Sequence, residues 1–346
     1  MQADAFQVAV ANDGPLAMED LGWRFGIGAL ADLPEGSVRL LADRSSLTAE
    51  DVAGIHALVV LTANLPVDRA LMESTPDLAV VSRFGVGFDR VDTAAANELG
   101  VAVAITPAGP YRAVASGNVA LLLGLAHRVP VKERLLRAGD WAGAGAYLGI
   151  GLPGKTLGSV GLGRIARETF RLIEPFNMRH VAFDPFVKPE NAGGVELVEL
   201  NELAAQSDFI VVNCALNADT RGLLGAEFFA NAKQGARLVN LARGPIVDEA
   251  ALVEAVESGT IGGVGLDVFA EEPLPADSPL RDLEEAILGP HSLAATDELV
   301  AGNGAGVLEA VRAVAAGELP ADLANPDVRA SERLAERLAR TPRAAF

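Results

Sequence analysis

The stretch TLGSVGLGRIARETFRLIEPFNMRHVAFD, residues 156–184, decides the fold that we expect for this chain. Small and β-branched residues in Thr156–Val160 predict a buried strand, which leads into the turn Gly161–Ala166. Apolar residues then recur at helical spacing, and the apolar run His180–Phe183 predicts a second strand that ends at Asp184. A strand, a helix and a strand in this order predict a parallel β-α-β unit.

The glycine pattern of this turn is weak by itself. Gly-x-Gly-x-x followed by Gly or Ala occurs three times, starting at Gly26, Gly149 and Gly161. Only the third copy follows a predicted strand and opens an amphipathic helix. There Gly161 permits a tight turn, and Gly163 lets a pyrophosphate approach the helix N-terminus. Asp184, 23 residues after Gly161, suits a ribose 2′-hydroxyl and repels a 2′-phosphate. The unit therefore predicts an NAD site, and the alternative is a structural turn with an incidental aspartate.

The rest of the chain continues the alternation of strands and helices, which predicts parallel sheets with helices on both faces. The other predicted strands are Gln7–Ala11, Ala57–Leu61, Ala79–Ser82, Val101–Ala104, Phe209–Asn213, Arg237–Asn240 and Val264–Val268. A long apolar helix is expected over Ala113–Arg128 and another helix over Asp297–Ala316. Between them, Arg137–Gly154 is rich in glycine and alanine and predicts an irregular arm.

Composition excludes several functional classes. The chain has 346 residues and a formal net charge of −18, which argues against nucleic acid and anionic membrane surfaces as partners. The single cysteine, Cys214, allows neither an internal disulfide nor a thiolate metal cluster. The N-terminus lacks the basic start of a signal peptide, and the longest apolar run is too short to span a bilayer. We therefore expect a soluble cytoplasmic protein without a metal.

Four motifs resemble one known family, the D-isomer-specific 2-hydroxyacid dehydrogenases, between about Ala79 and Thr296. The family includes phosphoglycerate dehydrogenases and glyoxylate/hydroxypyruvate reductases. The motifs are RFGVGFD at residues 83–89, the glycine turn with Asp184, NLARGPIVD at 240–248, and LDVFAEEP at 266–273 followed by Pro290-His291.

This resemblance implies two α/β domains, Rossmann-like and flavodoxin-like, with the cofactor domain inserted into the substrate domain. The substrate domain would comprise residues 1–105 and 292–325, the NAD-binding domain residues 106–291, and a C-terminal tail residues 326–346. The tail is expected to fray. The resemblance also implies a homodimer formed through the cofactor domain, with the arm in the contact.

The resemblance assigns hydride transfer between NAD and a D-2-hydroxy acid or 2-keto acid to His291, Glu272 and Arg243. These residue types suit the chemistry, because an imidazole exchanges the hydroxyl proton, a carboxylate orients the imidazole, and a guanidinium binds the substrate carboxylate. The backbone of Val86 and Gly87 would also bind that carboxylate. The implied cofactor-binding residues are Gly161, Gly163, Arg164, Ile165, Asp184, Cys214, Ala242 and Asp267.

Several alternatives remain open at this stage. The other histidines, His56, His127 and His180, are interpreted as structural, and Glu271 as a solvated charge beside Glu272. A non-enzymatic NAD sensor, like the corepressors that resemble this family, is the alternative function. Departures from the family pattern at Ser116, at Ala215 and over residues 292–296 leave the identity of the acid open.

Overall fold

The computed structural model describes residues 5–346, which separate into two compact units. The first unit comprises residues 5–110 and Thr296–Phe346, and the second comprises Tyr111–Ala295. The second unit is thus inserted into the chain of the first. Both boundaries lie a few residues later than the sequence predicts. Residues 292–295 stay with the second unit because Asp267 accepts hydrogen bonds from the backbone of Ser292 and Leu293.

The first unit contains a five-stranded parallel sheet in the order β2-β1-β3-β4-β5. Alternate residues of its strands face opposite sides, so that Val8 and Val10 enter one apolar cluster and Ala9 and Ala11 the other. Both faces are therefore buried. The strands are β1 (Val8–Ala11), β2 (Val38–Leu41), β3 (Ala57–Val60), β4 (Val80–Arg83) and β5 (Ala102–Ala104). The helices are α1 (Asp20–Trp23), α2 (Arg69–Glu73), α3 (Thr93–Leu99), α10 (Asp297–Ala315) and α11 (Glu332–Arg340).

The second unit contains a seven-stranded parallel sheet in the order β12-β11-β10-β9-β6-β7-β8. Its strands are β6 (Thr156–Val160), β7 (Arg179–Phe183), β8 (Glu196–Leu197), β9 (Phe209–Val212), β10 (Ala236–Asn240), β11 (Ile261–Leu266) and β12 (Ala286–Leu288). Its helices are α4 (Pro110–Ala126), which starts at the unit boundary, α5 (Val129–Arg137), α6 (Arg164–Ile173), α7 (Leu200–Gln206), α8 (Ala226–Asn231) and α9 (Glu249–Glu257). The predicted fold class, with two parallel α/β sheets, is confirmed.

The expected fraying of the C-terminal tail is not what the structure shows. Helix α11 buries Leu334 and Leu338 in the apolar cluster that covers one face of the first sheet. The Arg337 guanidinium donates hydrogen bonds to three backbone carbonyls of the first unit, those of Pro76, Leu78 and Gly100. The tail is charged on one side only, and its leucines recur at helical spacing, so that it packs as an amphipathic helix.

The predicted arm contains only a short 3₁₀ turn, Gly143–Ala146, among irregular backbone.

Among residues 5–346, no single helix is long and apolar enough to cross a membrane. Helices α4 and α5 meet the length and hydropathy criteria only when they are taken together, and this pair is bent by 61°. Within the same residues, no group of three or more histidine, cysteine or carboxylate side chains is arranged to hold a metal ion.

Candidate active site

The functional residues of the second unit collect at one edge of its sheet. Because all seven strands run in parallel, the residues that follow them meet at the carboxyl edge. The chain order reverses between β6 and β9, since β7 lies on the other side of β6. Such a switch point leaves a crevice at the strand ends, where α/β sheets bind ligands.

The glycine turn lies at this switch point and requires its first glycine. Gly161 has a φ of +96°, and a Cβ there would lie 2.9 Å from the backbone nitrogen of Cys214 and 3.0 Å from the carbonyl of Asn213. Its N–H donates to the Phe183 carbonyl at 2.7 Å. The turn is therefore held tightly between the ends of β7 and β9.

Helix α6 presents a free N-terminus beside this turn. Among the described residues, no side chain caps its first turn, and a Cβ at Gly163 would have no heavy atom within 4 Å. Unpaired N–H groups with open space in front of them suit a pyrophosphate. Arg164, the first residue of the helix, stacks over the Tyr111 ring at 4.9 Å, and Ile165 follows it.

Asp184 ends β7 close to the turn. One carboxylate oxygen accepts the Leu162 N–H at 2.8 Å, and the other accepts the Phe186 N–H at 3.0 Å. Each oxygen keeps a further lone pair for a ribose hydroxyl. On the opposite side of the turn, burial raises the pKa of the Cys214 thiol to about 11, so that it stays protonated at neutral pH. These features fit the nucleotide half of NAD.

The proposed catalytic residues follow three adjacent strands. Arg243 follows β10, Glu272 follows β11 and His291 follows β12. His291 Nδ1 lies 2.7 Å from Glu272 Oε2, while Glu272 Oε1 accepts the Phe269 N–H at 3.0 Å. A carboxylate only accepts hydrogen bonds, so Nδ1 carries the proton of this pair and Nε2 is left for a ligand.

The loop that carries Arg243 is fixed by Asn240 at the end of β10. The Asn240 side chain accepts the Ala242 N–H at 2.9 Å and donates to the Arg243 carbonyl at 3.0 Å. Arg243 itself is half-buried and donates to the Ala242 carbonyl at 2.8 Å. The guanidinium is thereby anchored at one edge, and Ala242 serves as part of its support.

Asp267 has a role that the sequence analysis missed. Its two carboxylate oxygens accept the backbone N–H groups of Ser292 and Leu293, both at 3.0 Å. The side chain is 3% exposed, and this burial raises its pKa. His291, directly before these amides, has a left-handed φ of +53°. Asp267 therefore holds the loop of a strained histidine; the predicted contact with the nicotinamide stays a prediction.

Val86 and Gly87 belong to the first unit, in the loop after β4. The Arg83 guanidinium, 4% exposed, donates from Nε to the Gly87 carbonyl at 3.0 Å. The Thr106 N–H donates to the Gly85 carbonyl at 2.9 Å. Val86 is 37% exposed. The loop thus has fixed carbonyls and an accessible outer face.

Of the three histidines interpreted as structural, His56 and His180 are half-buried, whereas His127 is exposed after α4. His56 stacks on Phe6 and accepts the Gln7 N–H through Nδ1, and burial lowers its pKa. His180 stacks on Phe170 at 4.5 Å, and burial lowers its pKa as well. Glu271 is exposed.

Comparison with known proteins agrees with this geometry. Residues 119–292 match the family described as D-isomer specific 2-hydroxyacid dehydrogenase, NAD binding domain. The chain is 40% identical over 285 residues to the D-3-phosphoglycerate dehydrogenase of Mycobacterium bovis, an alignment that covers 82% of this chain and 53% of the relative. It is 37% identical over 284 residues to the glyoxylate reductase of Korarchaeum cryptofilum, with 81% and 85% covered.

Among solved structures, a glyoxylate reductase from Paecilomyes thermophila matches with a TM-score of 0.80 and 31% identity, over 93% of this chain and 99% of the other. The chain spans about half the length of the phosphoglycerate dehydrogenases that it matches. The profile match, the aligned relatives and the shared fold together show that the chain belongs to the D-isomer specific 2-hydroxyacid dehydrogenase family, with its NAD-binding domain at residues 119–292.

Proposed function

We propose that this chain is an NAD-dependent dehydrogenase that interconverts a D-2-hydroxy acid and a 2-keto acid. The observation that carries the proposal is the His291–Glu272 pair, 2.7 Å apart, at the same sheet edge as Arg243 and the glycine turn. The substrate domain is the first unit, and the cofactor domain is the second.

Cofactor binding is assigned to the switch point between β6 and β9. The N–H groups of Gly163, Arg164 and Ile165 would hold the pyrophosphate, and Asp184 the adenosine ribose. Cys214 and Ala242 would line the nucleotide and nicotinamide sides, and Asp267 the nicotinamide through its remaining lone pairs. NAD, when bound, supplies the hydride acceptor in oxidation and the hydride donor in reduction.

The proton is handled by His291. With Nδ1–H held by Glu272, Nε2 takes the hydroxyl proton of the hydroxy acid during oxidation and returns a proton to the carbonyl oxygen during reduction. The Glu272 carboxylate stabilises the imidazolium that forms and keeps the ring in one orientation.

The substrate carboxylate is assigned to Arg243 and to the backbone N–H groups of Val86 and Gly87. A guanidinium stays charged through the reaction and binds a carboxylate through two parallel N–H bonds. The small 2-hydroxy or 2-keto acid would be bound through its carboxylate, and its hydroxyl or carbonyl oxygen is the group that exchanges a proton with His291.

The test is a substrate panel with NADH and NADPH. We expect NADH oxidation with at least one of glyoxylate, hydroxypyruvate, its 3-phosphate, pyruvate or a bulkier 2-keto acid, and slower turnover with NADPH. His291→Ala should lower the rate about 10²–10⁴-fold. His127→Ala, on an exposed residue after α4, is the matched control. A near-normal rate in His291→Ala contradicts the assignment, and NADH binding without turnover on any acid favours the sensor alternative.

We also propose that two copies associate through the cofactor domain and that the protein is cytoplasmic. The end of α5 and the arm expose apolar side chains: Leu136 of α5 is 58% exposed, and Trp141 and Leu148 of the arm are each 82% exposed. Exposed groups of this kind are typical of interfaces. Light scattering tests the dimer. We expect the wild type to be a dimer and the double variant Trp141→Asp/Leu148→Asp to be a monomer. The net charge of −18 argues against nucleic acid as a partner.

A further inference from the structure

The peptide group that joins Gly161 to Leu162 is hydrogen-bonded at both ends. Its N–H donates to Asp184 Oδ2 at 2.8 Å, on the side of the proposed ribose site. Its carbonyl accepts the Ser159 hydroxyl at 2.7 Å, on the side of the sheet. The orientation of this single peptide plane therefore sets both the glycine turn and the Asp184 carboxylate that docks on it.

Ser159 is itself oriented by two asparagines. Asn213 donates from Nδ2 to the Ser159 hydroxyl oxygen at 3.0 Å, which directs the hydroxyl hydrogen towards Gly161. Asn118, on α4, donates to Asn213 Oδ1 at 3.0 Å and so selects the orientation of the Asn213 amide. A chain of three side chains thus runs from α4 to the glycine turn.

The same chain reaches helix α6. Asn118 Nδ2 also lies 3.2 Å from the Thr169 hydroxyl oxygen, and Thr169 donates to the Ile165 carbonyl at 2.9 Å. Asn118, Ser159 and Thr169 are each 0% exposed. The Asn118 Oδ1 has no hydrogen-bond partner among the described residues, whereas the hydrogen bonds of the network form with water excluded and favour one orientation of each side chain. The network therefore ties together the turn and the helix that would hold the pyrophosphate.

We propose that Ser159, Asn213 and Asn118 form a positioning relay that fixes the Gly161–Leu162 peptide and thereby sets the affinity for NAD and the preference for NAD over NADP. None of the three is assigned to touch the substrate or to transfer a proton. The proposal rests on the cofactor site proposed above. It is tested by binding, so that it can fail while turnover stands.

Ser159→Ala is the primary variant, because it removes one oxygen and leaves the strand unchanged. NADH affinity is measured directly by fluorescence titration, and folding by circular dichroism. We expect the Kd for NADH to rise about 5- to 30-fold, the range for losing a buried hydrogen bond. The Kd for NADPH should change less, so that the ratio of the NADPH Kd to the NADH Kd decreases. The kcat at saturating NADH should stay within about twofold of the wild-type value.

Ser207→Ala is the matched control. Ser207 is also a 0% exposed serine of the second unit, and its hydroxyl has no hydrogen-bond partner among the described residues. We expect it to leave both Kd values unchanged. An unchanged NADH Kd in Ser159→Ala, or an equal rise in both serine variants, overturns the proposal.

A double-mutant cycle separates a relay from two independent structural roles. Asn213→Ala should raise the Kd for NADH less than Ser159→Ala, because Asn213 acts through Ser159. The double variant should then resemble Ser159→Ala alone. Independent effects that multiply would contradict the relay. If Ser159→Ala does not fold, Asn213→Ala carries the test, since Asn213 is only half-buried. It should raise the NADH Kd and leave the NADPH Kd nearly unchanged, and no change contradicts the proposal.

Discussion

Asp267→Asn should separate the support of His291 from the binding of the cofactor. The wild-type carboxylate accepts two backbone N–H groups at 3.0 Å, one per oxygen. Asparagine keeps one acceptor and turns an amide NH₂ towards the other N–H. A hydrogen bond to a charged acceptor is worth about 1.5–3 kcal/mol. Part of this loss is offset because the neutral asparagine side chain does not place a charge in the buried site. The cost of burying that charge is also what raises the pKa of Asp267 in the wild type.

We therefore expect a modest loss of stability, about 1–2 kcal/mol, and a larger loss of activity. The left-handed backbone at His291, with a φ of +53°, is held in place by the two amides that follow it. When they are released, the imidazole can move relative to the substrate, and a displacement of about 1 Å costs on the order of 10²-fold in rate. The expected drop in kcat is about 10- to 100-fold.

The assay is NADH oxidation with the best acid of the panel, together with NADH titration and thermal unfolding. Asp208→Asn is the matched control, since Asp208 also accepts a backbone N–H, from Thr156 at 2.9 Å, but lies at the amino end of β9. It should lower stability and leave kcat unchanged. Wild-type kcat in Asp267→Asn would show that Asp267 does not hold His291 in its catalytic position. A loss confined to NADH affinity would instead support the nicotinamide contact predicted from the sequence.

Three other predictions test separate parts of the structure. Gly161→Ala should lower both the melting temperature and the affinity for NADH, because its Cβ meets backbone at 2.9 Å; Gly163→Ala, with open space around the Cβ, should lower only the affinity. Arg337→Met should destabilise the protein by about 2–4 kcal/mol in urea titrations, because three carbonyls lose their donor; equal stability would mean that α11 is not part of the cooperative unit. Cys214, with its pKa raised from 9.0 to about 11, should react with iodoacetamide at pH 8 about 100-fold more slowly than a free thiol, with a rate that climbs towards pH 11; a rate profile with its midpoint near pH 9 would contradict the raised pKa.

Most of the fold could be predicted from the sequence, because buried parallel strands are short apolar runs. Thr156–Val160 is a strand at its predicted residues. The strands that were missed, β2, β8 and β12, all lie at sheet edges. An edge strand is covered less completely, so its residues need not be uniformly apolar; β2, for example, contains Arg39. Periodicity therefore predicts the central strands of each sheet and the edge strand β5, but not the other three edge strands.

Some residues of the site could be predicted from their residue type and motif, whereas others are recognised only from their contacts in the folded chain. His291 and Glu272 have side chains suited to proton exchange, and family motifs place them, so their pairing could be expected. Asp267 has the same side-chain chemistry as any acid near a cofactor, and nothing in its neighbours along the chain indicates that it binds amides 25 and 26 residues later.

The role of Ser159 is harder still to predict from the sequence, because a serine inside an apolar strand looks like a destabilising polar residue in the core. In the folded chain it is the residue through which α4 and β9 reach the glycine turn. A buried polar residue next to a predicted ligand turn is thus a reason to look for a positioning contact, since an unpaired hydroxyl at that depth would be costly.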